Sequence, residues 1–155
     1  MNTVYLYQCK ALAYLLTVLT LFVGSATADE SALFSTVLVW QGSGRVIVSE
    51  NSLEPRSIGS FSIRFYGGRN SDFPFDDFQV GAIFERDGVI ESVQVVDIDG
   101  DNQDDLVVVL RTVGSGAYRN VDAFSIGLSE IVRMGSVSGV APDADPIELL
   151  KQPFE

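Results

Sequence analysis

The sequence predicts an all-β fold: an antiparallel β-sandwich or small barrel of about eight strands, finished by a short C-terminal helix. Three observations carry this. Short runs rich in Val, Ile and Phe recur at roughly 8 to 12 residue intervals, the spacing of sandwiches and small barrels. Several of these runs alternate apolar and polar side chains, the period of a strand with one buried face. Gly, Asp, Asn and Ser gather between them, where turns need permissive backbones and local side-chain acceptors.

The first 28 residues read as an export signal rather than fold. Lys10 is followed by the uncharged run ALAYLLTVLTLFV over residues 11–23 and then by Gly24, Ser25, Ala26, Thr27 and Ala28. Ala26 and Ala28 match the small-residue pattern of a signal-peptidase site. A membrane anchor is the competing reading, but the run is short for a span of about 20 residues, and Asp29-Glu30 follows it instead of a basic flank. Cleavage after Ala28 is expected, with release into the periplasm and no membrane association afterwards. Residues 29–155 then form a single domain, long enough for a core without staples.

The strands follow in order. Residues 36–40 (TVLVW) and 45–49 (RVIVS) flank Gln41-Gly42-Ser43-Gly44, a hairpin-like link. Residues 51–59 are a loop. In residues 60–66, Phe61, Ile63 and Phe65 alternate with Ser62 and Arg64. Residues 67–78 are a polar and aromatic loop containing Pro74. Residues 81–86 form a fourth strand, and Asp87-Gly88 is a two-residue hairpin signal from which residues 90–98 return. Residues 106–112 and 119–126 flank a glycine-rich loop, and residues 131–137 close the set. Asp145, Pro146 and Glu148 supply an N-cap, an N1 proline and an N3 glutamate, predicting a helix over residues 147–151.

Composition excludes several functions. There is no histidine, and Cys9 leaves with the signal, so a Ser-His-Asp triad, a Cys-His pair, a zinc site built on sulfur and a disulfide are all ruled out in the mature chain. Removal of Lys10 from the 10 basic residues leaves 9 against 21 acidic ones, so the net charge moves from −11 to −12. That field repels nucleic acid and favours basic protein partners; it also serves simple solubility.

Two segments stand out. Asp97, Asp99, Asp101 and Asp105 lie in DIDGDNQDD, a spacing at which oxygens converge on a hard cation such as calcium. The EF-hand pattern fails, because Asn102 stands where its glycine belongs and Val108 where its glutamate belongs. The turn resembles the DxDGDxxxD turn of integrin-type β repeats, but occurs once. A structural turn, in which Asp and Asn accept backbone N–H groups, accounts for it slightly better. No cofactor is required; calcium is the one candidate.

The second segment is Gly114-Ser115-Gly116-Ala117-Tyr118, followed by Arg119. The continuous apolar run over residues 107–110 implies a buried, rigid strand leading into it. Gly114 and Gly116 allow a sharp turn and close approach to a partner. Ser115 offers a small hydroxyl, and Tyr118 a rigid ring with a polar tip. Alone, this pattern fits any glycine-rich hairpin.

Together with the DIDGD turn before it and VDAF after it, the loop resembles that of the periplasmic inhibitors of i-type (invertebrate) lysozyme. Further stretches share the resemblance: EPRSIG at residues 54–59, FPFDD at 73–77, SVSG at 136–139 and DADP at 143–146. The spacing SGxY, rather than the SGxxY of other lysozyme-inhibitor families, points to the i-type group. The resemblance implies a secreted β-sandwich-like inhibitor whose Ser115 and Tyr118 enter the lysozyme cleft, with Gly114, Gly116 and Arg119 beside them. It also implies i-type lysozyme as partner, and a homodimer.

Two other classes compete. One is a calcium-dependent carbohydrate-binding or adhesion module using the residue 97–105 turn. Phe73, Phe75 and Phe78 would then stack on sugar, although packing on the core or its lid is the simpler expectation. The other is a glycosidase built on a carboxylate pair such as Asp76 and Asp77, or Glu85 and Glu91. No spacing selects such a pair in so acidic a chain, and the chain is expected not to be an enzyme.

Overall fold

The computed structural model describes residues 33–151. The export segment expected at residues 1–28, with its cleavage after Ala28, lies outside the described residues. Eight strands and one helix follow in order: β1 Ser35–Trp40, β2 Gly44–Glu50, β3 Ile58–Tyr66, β4 Phe78–Asp87, β5 Val89–Val96, β6 Asp105–Arg111, β7 Arg119–Ile126, β8 Ile131–Val140 and α1 Pro146–Lys151. They form two four-stranded antiparallel sheets, β1-β2-β3-β4 and β5-β6-β7-β8. The two stack as a sandwich, and neither sheet closes into a barrel.

Alternation built both faces. Val46 and Val48 from β2, with Phe61, Ile63 and Phe65 from β3, point inward against Ile90, Leu106, Val108, Leu110 and Phe124 of the second sheet. Trp40 joins them at 1% exposure. Phe61, Phe84 and Phe124 make the aromatic centre, with Phe84 and Phe124 centroids 4.5 Å apart. Strand β6 departs from alternation because it is covered twice. Leu106, Val108 and Leu110 face the sandwich interior. Val107 and Val109 face a second cluster with Ile98, Val121, Ala123, Val140 and Leu150. Leu150 is the helix's fully buried residue. Asp145 caps α1 by accepting the Ile147 N–H at 2.9 Å, as the N-cap pattern predicted.

The Asp87-Gly88 link differs from the hairpin expected of it. β4 pairs with β3 and β5 pairs with β6, so the chain changes sheets at Gly88. The cause lies in long-range partners. Arg86, 2% exposed, donates to the carbonyls of Pro55 at 3.1 Å and Arg56 at 2.8 Å and to that of Gly88. Its guanidinium also sits 3.9 Å from Glu50, whose carboxylate accepts the Ile90 N–H at 2.8 Å and the Phe34 N–H at 3.2 Å. Once buried, these charges hold the crossover in place, because a lone buried charge is costly.

Candidate functional site

Strand β6 ends at Arg111 and β7 begins at Arg119, which pair directly. Residues 112–118 bridge them. The neck is closed twice: Thr112 donates its N–H to the Tyr118 carbonyl at 2.9 Å and its hydroxyl to the same oxygen at 3.0 Å. Inside, the Ala117 N–H reaches the Gly114 carbonyl at 3.4 Å. Ala117 holds φ of 45°, in the left-handed region that costs an L-residue about 1 kcal/mol or more. Gly116 has a packing reason: a Cβ there would lie 2.6 Å from Cδ2 of Tyr118 and closer still to Cε2. The tyrosine ring folds over the loop's own backbone. Ser115 is exposed, and Tyr118 is 51% exposed. Among the described residues, neither side-chain hydroxyl has a hydrogen-bond partner, so both remain available to another molecule.

The base of the loop presents a conflict and its solution. Arg111 and Arg119 are directly opposite, and like charges at such a position repel. Glu91 resolves it. The β5–β6 register shifts between Ile90 and Ser92, which leaves Glu91 as the extra residue of a β-bulge. Its carboxylate lies 3.8 Å from each guanidinium. Arg119 also donates to the Pro142 carbonyl, and Asn120 accepts the Gly139 N–H at 3.1 Å. Arg119 therefore braces the loop against the segment after β8. Glu91 was legible only as one acidic residue among many, since a bulge leaves no mark in residue spacing.

At the other end of β6, the acidic turn spends its side chains on itself. Asp97 accepts the N–H groups of Gly100 at 2.7 Å and Asn102 at 3.0 Å. Asp99 accepts from Asp101 at 3.2 Å, and Asp105 from Ile98 at 3.1 Å. Asp97, Asp99 and Asp105 each bring a carboxylate oxygen within 4.8 Å of the other two. Asp101, the fourth expected member, does not join them. Its two oxygens accept from the Gln103 backbone at 2.7 Å and side chain at 2.8 Å. Asp105 is 4% exposed, and burial, reinforced by Asp99, Asp101 and Asp97, raises its pKa above the usual carboxylate value.

A family model described as periplasmic lysozyme inhibitor of I-type lysozyme matches residues 35–154, the whole sandwich and helix. The chain belongs to the periplasmic inhibitors of I-type lysozyme. Two solved structures of this inhibitor family are similar to it. One is the periplasmic inhibitor of I-type lysozyme from Aeromonas hydrophila, 38% identical with a TM-score of 0.69, covering 75% of this chain and 98% of the other. The second is the Aeromonas hydrophila inhibitor in complex with Meretrix lusoria lysozyme, 39% identical with a TM-score of 0.72, covering 77% of this chain and 97% of the other. No curated protein matches the chain.

The remaining residues singled out in this inhibitor's sequence lie elsewhere. Val89 pairs with Arg111 and Val96 with Asp105, while Ile58 pairs with Asp87 and Tyr66 with Phe78. The residue 67–77 loop thus shares the acidic turn's end of the sandwich, a β6 strand's length of roughly 20 Å from the 112–118 loop. Phe73, Phe75 and Phe78 are 65%, 47% and 57% exposed, outside the core, where packing on the core or its lid was expected. Phe75 and Phe78 stand edge-on to Tyr66 on the outer face of the first sheet, because the loop's polar anchors hold them there. Asp77 takes Arg69 in two bonds of 2.8 and 2.6 Å and Gln79 at 2.6 Å. Arg69 holds the Asp77 carboxyl below its usual pKa. Of the four carboxylates considered for a glycosidase, one of each pair is committed to arginines: Asp77 to Arg69, and Glu91 to Arg111 and Arg119.

Proposed function

We propose that this chain inhibits an I-type lysozyme by pressing the 112–118 loop into the enzyme's active-site cleft, which protects bacterial peptidoglycan. The 39% identity to an inhibitor solved on a lysozyme carries this reading. The loop's chemistry supports it. A glycosidase cleft presents carboxylates that otherwise hold water or sugar. The free hydroxyls of Ser115 and Tyr118 are donors for such acceptors, and a charge-assisted bond of this kind is among the stronger ones. The doubly closed neck and the Glu91 brace fix the loop before docking, so little conformational freedom is lost on binding. The acidic body speeds encounter with a basic enzyme. The chain acts by binding, not by catalysis.

The test is an inhibition assay against I-type, c-type and g-type lysozymes. Inhibition of the I-type enzyme at near-equimolar inhibitor is the expected result, with the other two classes retaining activity. Full I-type activity in the presence of excess folded inhibitor would sink the proposal.

A further inference from the structure

A specific protein interface buries roughly 800 Å² on each partner. A seven-residue loop cannot supply that alone, so neighbouring surface at the same end of the sandwich must take part. One projection at that end is the β2–β3 link, residues 51–57, with Leu53 near its tip. Leu53 is 93% exposed, the most exposed large apolar side chain among the described residues. The fold gains nothing from holding it in water.

The link is built to hold Leu53 still. Its N–H donates to Asn51 Oδ1 at 3.1 Å, and Asn51 Nδ2 donates to Glu54 at 3.4 Å. Glu54 accepts both the Ser60 hydroxyl, at 2.8 Å, and the Ser60 amide. Those Ser60 bonds lower the Glu54 pKa. From beneath, Arg86 fastens the carbonyls of Pro55 and Arg56. A rigid exposed apolar group is the form of side chain that binds with the least ordering cost.

The link is also joined to the base of the 112–118 loop. Ser57 accepts the Gly88 N–H at 2.8 Å. Gly88 in turn packs on Arg111 and Thr112 so closely that a Cβ would lie 2.9 Å from the Thr112 Cα. Ile58 and Val113, 69% and 62% exposed, add apolar surface at this same end. We infer that residues 51–57 form a second contact to the same lysozyme, with Leu53 as its apolar anchor beside the cleft. This rests on the proposed inhibition. The partner is a folded lysozyme whose cleft rim offers apolar surface.

Association and dissociation rates with an I-type lysozyme test this, using Leu53→Ala, Tyr118→Ala and Leu128→Ala. Leu128 is equally suited to substitution, 73% exposed, but sits on the β7–β8 connection at the far end. Leu53→Ala is expected to raise the dissociation rate about tenfold, the loss from one unburied leucine side chain. Leu128→Ala should match wild type, and all variants should melt where wild type does. If Leu53→Ala binds as wild type while Tyr118→Ala is weakened, the second contact is wrong and the loop survives. If neither variant weakens binding, the proposed inhibition through this end falls as well. An equal loss in Leu128→Ala would overturn the location of the contact.

Discussion

Strand β6 carries a turn at each end, and the two use their side chains in opposite ways. The acidic turn is held by carboxylates that accept its own backbone N–H groups. The 112–118 loop is held by backbone and by Thr112 at its neck, and leaves Ser115 and Tyr118 uncommitted. Both stand out in sequence, since both gather polar residues around glycine, and a structural turn accounts slightly better for the first. Only the second has hydroxyls to offer. Polar residues in a turn point to a partner when the turn does not consume them.

The largest way to break this contrast is at Tyr118. Tyr118→Ala should weaken binding to an I-type lysozyme by about 2 kcal/mol or more, roughly 30-fold, as expected of an aromatic hot spot. Adding Ser115→Ala should deepen the loss, with circular dichroism unchanged because both residues are exposed. A folded double variant that inhibits like wild type would remove the loop from the mechanism.

Gly116→Ala sharpens the same point without touching either contact residue. The added methyl occupies the space of the Tyr118 ring, so the ring must leave its packed position. Inhibition should fall by about tenfold through lost preorganisation. Titration calorimetry should show the entropic term become less favourable. An unchanged affinity would mean that the packed ring is incidental.

The smallest effect belongs to the acidic turn. Burial and its acidic neighbours raise the folded-state pKa of Asp105 above 3.8. The folded protein therefore binds this proton more tightly than the unfolded chain. Ionised Asp105 costs stability at every pH above its folded pKa, and the cost vanishes below 3.8. Asp105→Asn keeps an acceptor for Ile98 and removes the charge. In chelator it should melt a few degrees higher than wild type at neutral pH, with the gain fading as pH drops through the raised pKa. Inhibition should not change. A turn that is structural also leaves the wild-type melting temperature indifferent to chelator. A rise with calcium that Asp99→Asn abolishes would instead make the turn a cation site, by mass action on the folded state.

Much of the fold could be read from residue order because its signals are local. Alternation in residues 60–66 and the unbroken apolar run of β6 located those strands, and Asp145-Pro146 located the helix start. The readings that failed depend on distant partners. Asp87-Gly88 has the composition of a hairpin, but Arg86 is drawn to carbonyls some 30 residues earlier, and the chain changes sheets instead. Nor does residue order show that Arg119 is engaged by Glu91 from β5 and by the Pro142 carbonyl beyond β8. Phe73 and Phe75 had no period to indicate a face, and an arginine–aspartate clasp turns their loop outward.

Every ladder in both sheets joins strands that are neighbours in the chain. Such meanders have low contact order, and folding speeds rise as contact order falls. Within each sheet, every strand after the first can pair with the one just before it, without waiting for a distant segment. Unpaired edges are then exposed only briefly, which limits the interval in which chains at high local concentration could pair with one another instead.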